Sequence, residues 1–189
     1  MTATATTIDA FVGLNRSWVS NMAVEESART GYTHKVTVNA KDISDLALAQ
    51  DTPLIAATDE IQMAVFNLAQ NEDSDSAVLD AALIVTKPFT SSTAGTVVCD
   101  VGDGAGTATL LAAVTLMTTG TGAEKGHASY ASLPDDENPI LDVNGGTQGT
   151  AAGTIYMNFL NAVSGTGLDD LTDGEVTLLL KVRESSLIA

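Results

Sequence analysis

Aromatic residues are scarce in this chain: four Phe, three Tyr and one Trp in 189 residues. Hydrophobic residues still make up 44%, so the apolar content is mostly Ala, Val and Leu, and any core must be built from thin, closely approaching layers. Cysteine is nearly absent. The single Cys99 excludes an intrachain disulfide and the common zinc spacings, and its place in an apolar run marks it as a buried structural thiol. Positive charge is also in short supply: 8 Lys and Arg stand against 24 Asp and Glu, a formal net charge of −16. With no Lys/Arg run, such a field repels nucleic acid and anionic membrane, so neither is an expected partner. No apolar stretch approaches the roughly 18 residues of a membrane-spanning helix. The opening Met1-Thr2-Ala3-Thr4 lacks the charged and apolar regions of a secretory leader, and synthesis in the cytoplasm is expected.

Glycine is missing from most of the first half. Only Gly13 and Gly31 precede residue 94, and the rest lie from Gly95 onward, so the second half holds most of the turns and special backbone positions. Residues 1–31 read as an arm, polar and Thr/Ala-rich at first, then carrying Phe11, Trp18 and Met22 on a short helix expected around 9–28. Beyond it, strand signals recur. Val36 and Val38 alternate within 33–39; Ile61, Met63 and Val65 share a face; 77–86 is an apolar run ending at Lys87-Pro88; 96–101 is β-branched. Ile155, Met157 and Phe159 alternate, as do Val176, Leu178, Leu180 and Val182. A helix is expected over 107–118, where Leu110, Val114 and Met117 are spaced for one face and Thr107 or Asp103 serves as cap. Short strands separated by Thr/Gly/Ser loops point to a mainly β, antiparallel sandwich or barrel with one short helix. The arm is 1–31 and the β-domain 32–189.

The run Val97-Val98-Cys99-Asp100-Val101-Gly102-Asp103-Gly104-Ala105-Gly106 resembles the first motif of class I methyltransferases. There, alternate glycines let the backbone approach S-adenosylmethionine ahead of a helix N-terminus. Asp100, Gly102, Gly104 and Gly106 align with that turn, one glycine short. The second acid the family needs at the end of a strand has no counterpart: Glu124 lies at about the right distance but in a loop. A Gly/Asp-rich β-turn explains the run as well, and the methyltransferase stays a remote alternative.

Other chemistry is sparse. There is no phosphate-binding Gly-x-x-x-x-Gly-Lys motif and no Gly-x-Ser-x-Gly elbow. His34 and His127 lie far apart, without nearby carboxylates or thiols in metal-ligand spacing. The acidic clusters at 72–75, 135–137 and Asp169-Asp170 with Asp173 lack EF-hand spacing. They read as solvated loop acids, with a weak cation site between subunits or a calcium-dependent adhesion module as the competing reading. No enzyme, cofactor, catalytic residue or metal site is expected.

Four segments together resemble a loose group of tailed-phage virion proteins. They are Lys41-Asp42-Ile43-Ser44-Asp45-Leu46-Ala47; Ser76–Val85 leading into Thr86-Lys87-Pro88-Phe89-Thr90; the strand ending Val101-Gly102-Asp103-Gly104 before the apolar 107–118 segment; and the closing Gly174-Glu175-Val176-Thr177-Leu178. The resemblance spans roughly 40–183. It implies a jelly-roll-like β-sandwich subunit on the outside of a capsid, a head decoration or cement protein, commonly a homotrimer, whose partner is the major capsid protein. It also makes 100–106 the turn between a sheet strand and a covering helix. On this reading Phe11, Trp18 and Met22 are the interface residues, with Trp18 the principal anchor. A tail, neck or fibre-base component is the alternative.

Overall fold

The computed structural model describes residues 6–8, 19–21, 31–48, 60–67, 77–93, 95–103, 108, 110–130, 141–142, 154–161 and 168–183. They form a mainly β, sandwich-like fold of two sheets with one helix. The strands in chain order are β1 (Thr6–Ile8), β2 (Val19–Asn21), β3 (His34–Asn39), β4 (Glu60–Asn67), β5 (Ala77–Ser91), β6 (Val97–Gly102), β7 (Leu111–Thr118), β8 (Thr121–Gly122), β9 (Ala128–Tyr130), β10 (Leu141–Asp142), β11 (Thr154–Asn161) and β12 (Leu171–Arg183). The first sheet runs β1-β4-β11-β6-β7-β8; the second runs β10-β5-β12-β3-β2, with β9 also on β5. All pairings are antiparallel except β1 with β4, which is parallel.

Alternation decides which face each strand buries. In the first sheet Ile61, Met63, Ile155, Met157, Phe159, Val97, Cys99 and Val101 all lie within 1% of complete burial. They meet Val36, Val38, Leu83, Val85, Val176, Leu178 and Leu180 of the second sheet in a single core. The shortage of aromatics is met by β-branched and unbranched aliphatic side chains, with Phe89 and Phe159 the largest fully buried residues. His34 is part-buried, its ring 4.8 Å from that of Phe66 at 57°.

Three sequence expectations are corrected. The segment 107–118 is no helix: Leu111–Thr118 is the strand β7. Its register explains the misleading period. Val101, Cys99 and Val97 of β6, spaced by two, face Leu111, Val114 and Met117 of β7, spaced by three, because β7 carries an extra residue in each interval. Two β-bulges thus imitate the apolar spacing of a helix. Within the span 9–28, where a helix is expected, the described residues Val19–Asn21 form the strand β2. Finally, β5 does not stop at Lys87-Pro88 but continues to Ser91, with Lys87 and Pro88 exposed where the pairing with β12 slips register. Proline is tolerated at such a bulge because no ladder donor is required of it.

The one α-helix among the described residues, α1, is Ala40–Leu48. Asn39 caps it: its Oδ1 accepts from the Asp42 amide at 2.9 Å, and the Asp42 carboxylate accepts from the Asn39 amide at 3.3 Å. This reciprocal pair is a capping box, and Asp42 also suits the positive end of the helix dipole. Ala40, Ile43, Ser44 and Ala47 form the buried stripe, packed on β12 and on the 3-10 turn Leu168–Asp170. The Ser44 hydroxyl donates to the Asp169 carbonyl at 2.8 Å.

Candidate functional site

Asp100, the acid of the methyltransferase-like run, is outward on β6, and its Oδ1 accepts from the main-chain amide of Ala113. Ala113 sits in the first bulge of β7 with φ of 51°, a left-handed conformation that costs a non-glycine residue about 1–2 kcal/mol. The bulge turns that amide out of the ladder, and the carboxylate satisfies it. Gly102 ends β6 and is buried, as is Asp103 at 9% exposure; Gly104 and Gly106 lie outside the described residues. From Leu111 the chain runs as a strand, so the covering helix implied by the phage-protein resemblance is not there.

Phe11, Trp18 and Met22 lie outside the described residues. The described parts of their segment are β1 and β2, each the terminal strand of a different sheet. The acidic clusters at 72–75 and 135–137 also fall outside. In the third cluster two of the acids have local partners, while the buried Oδ1 of Asp169 has none among the described residues. Asp170 accepts from the hydroxyls of Ser92 at 3.1 Å and Thr93 at 2.8 Å. Asp173 pairs with Lys87 at 2.7 Å, which together with the Gly174 amide holds its carboxyl below the usual range. Among the described residues no three His, Cys, Asp or Glu side chains are grouped to hold a metal ion.

Cys99 is fully buried, and burial together with the neighbouring Asp100 charge pushes its thiol pKa well up. It is therefore a poor nucleophile. His127 is exposed in the segment crossing from β8 to β9, which is tied to β5 by Gly126 N–H to Val85 O and Val85 N–H to His127 O, both 2.8 Å. That crossing, with Thr115, Thr118 and Thr121, lines an open surface groove of about 630 Å³.

A further cluster has no signature in the sequence. On the outer side of the second sheet Tyr32 donates a hydrogen bond to the Asp80 carboxylate, with Tyr130 close enough to interact. Burial first, and then the Asp80 charge and hydrogen bond, raise the Tyr32 pKa to about 12. Only the register brings these residues together: β9 places Tyr130 opposite Ala82, two residues along β5 from Asp80. No local motif links them.

Compared with protein-family models, with curated proteins and with solved structures, the chain matches none.

Proposed function

We propose that this chain is a non-enzymatic decoration, or cement, protein of a tailed-phage head, bound to the outside of the assembled shell through the major capsid protein and assembled as a homotrimer. The observation that carries the reading is the placement of the N-terminal segment. Its described parts, Thr6–Ile8 and Val19–Asn21, are edge strands, one in each sheet. A segment that attaches by main-chain pairing at sheet edges is suited to strand addition, a common mode of association between protein surfaces. The sandwich-like fold and the net charge of −16 support the same reading, since an acidic subunit is drawn to basic surface on a shell.

The mechanism is linkage. A protein that binds the assembled shell and not its dispersed subunits stabilises the shell by RT ln(1 + [L]/Kd). Trp18, with Phe11 and Met22, supplies the apolar anchor. The test is light scattering on the purified chain, then co-sedimentation with empty head shells. A trimer that sediments with shells supports the reading, as does a Trp18→Ala variant that folds normally but loses shell occupancy. A monomer that ignores shells overturns it. Undiminished occupancy in Trp18→Ala removes the arm from the mechanism.

A further inference from the structure

Tyr130 is 64% exposed, one of two large apolar side chains so exposed among the described residues. The other, Leu48, ends α1. Tyr130 ends the three-residue strand β9, so its ring is presented at the margin of the second sheet. Beside it are the Tyr32 hydroxyl and the Asp80 carboxylate it bonds. Lys181 stands opposite Asp80 in the register, yet the ion pairs among the described residues are Lys41 with Asp45 and Lys87 with Asp173. Among the described residues the Asp80 charge is thus not paired with Lys181; its Oδ1 is buried without a hydrogen-bond partner there, so its charge acts on the patch mainly as a local negative potential.

An exposed aromatic face next to a carboxylate with no ion-pair partner among the described residues has a definite chemical preference. The ring quadrupole attracts a cation at its face, and the Asp80 charge beside it adds negative potential that favours a guanidinium or ammonium group. The net charge of −16 attracts basic surfaces over a longer range and opposes a second acidic copy at the same place. We infer that the patch formed by Tyr130, Tyr32 and Asp80 docks an arginine or lysine side chain of a basic protein surface, with Tyr130 as the aromatic anchor. The inference rests on the shell-binding reading, in which that surface belongs to the capsid.

The experiment compares the full chain with Tyr130→Ala, Tyr130→Phe and Asp80→Asn in shell co-sedimentation at low and high salt, after thermal melts establish that each variant is folded. Tyr130→Ala should bind at least about tenfold more weakly, as truncation of an aromatic anchor does, and Tyr130→Phe should stay close to the parent. Asp80→Asn should flatten the salt dependence. If Tyr130→Ala binds as tightly as the parent, the inference is overturned while the shell-binding reading stands. If the parent itself ignores shells, that reading fails, and calorimetry with an arginine-rich peptide decides the patch alone. Weaker binding by Tyr130→Ala then supports it, and equal binding overturns it.

Discussion

Phe89 packs directly against the bare Cα of Gly174: a Cβ built on that glycine would lie 2.5 Å from Cγ of the ring and 2.7 Å from the Phe89 Cα. Gly174 has φ of 135°, a conformation L side chains rarely adopt. It lies where two residues of β5, Pro88 and Phe89, oppose this one residue of β12, between the pairs Asp173–Thr90 and Glu175–Lys87. On the other side, a Cβ on Gly122 would collide with the main chain of Phe89. Phe89, whose side chain is fully buried, thus has Gly174 against its ring and Gly122 against its main chain.

Gly174→Ala should therefore destabilise the fold by at least about 2 kcal/mol, combining overpacking with backbone strain. Combining it with Phe89→Ala should cost less than the sum of the two single changes, because the ring collision is relieved. Gly122→Ala should gain much less from the same partner, since its obstacle is backbone. Urea unfolding of the single and double variants measures both couplings.

Asp100 and Ala113 form a second test. Asp100→Ala leaves the bulge amide without its partner and should cost about 1 kcal/mol. Ala113→Gly relieves the positive φ and should stabilise by several tenths to about 1 kcal/mol. Chemical denaturation midpoints check both signs, and a loss of stability in Ala113→Gly would refute the strain argument.

Alkaline stability should report on Tyr32. Its pKa rises from 10.0 to about 12 on folding, so the folded state favours the neutral phenol. That contribution is complete below pH 10 and is lost as pH rises toward 12. Ultraviolet titration of the native protein should show one of the three tyrosines ionising late, and Tyr32→Phe should remove that late step.

Cys99 should be silent in the native state. Its thiol is fully buried and its pKa raised, so reaction with a thiol reagent requires opening of the first sheet. Labelling rates should rise with denaturant along the unfolding curve, and rapid native labelling would contradict the burial of Cys99 between β7 and β11.

Much of the sheet content was legible in the sequence. Alternation located β3, β4, β11 and β12 to within a few residues, because one face of each is buried and a strand has a side-chain period of two, and β-branched composition located β6. Helix α1 was also within reach: Asn39 and Asp42 carry a capping signal, continued by the Ala40, Ile43, Ser44, Ala47 stripe. The 107–118 segment misled because its bulges lengthen the spacing of inward residues from two to three. The anchor residues Phe11, Trp18 and Met22 lie outside the described structure, and the cluster around Asp80 depends on strand neighbours far apart in the chain.

By itself, then, the sequence determined composition, charge, the scarcity of chemistry-bearing motifs and the faces of the regular strands, all of which depend on residues near one another along the chain. Which strands pair, where the register slips, how two glycines lie against Phe89 and why Asp100 holds a bulge amide were decided only by tertiary structure. Those features arise between residues far apart in the chain, such as Phe89 with Gly174 and Val36 with Leu178, and the energy of a contact that distant is set by register and packing, which local propensity does not encode.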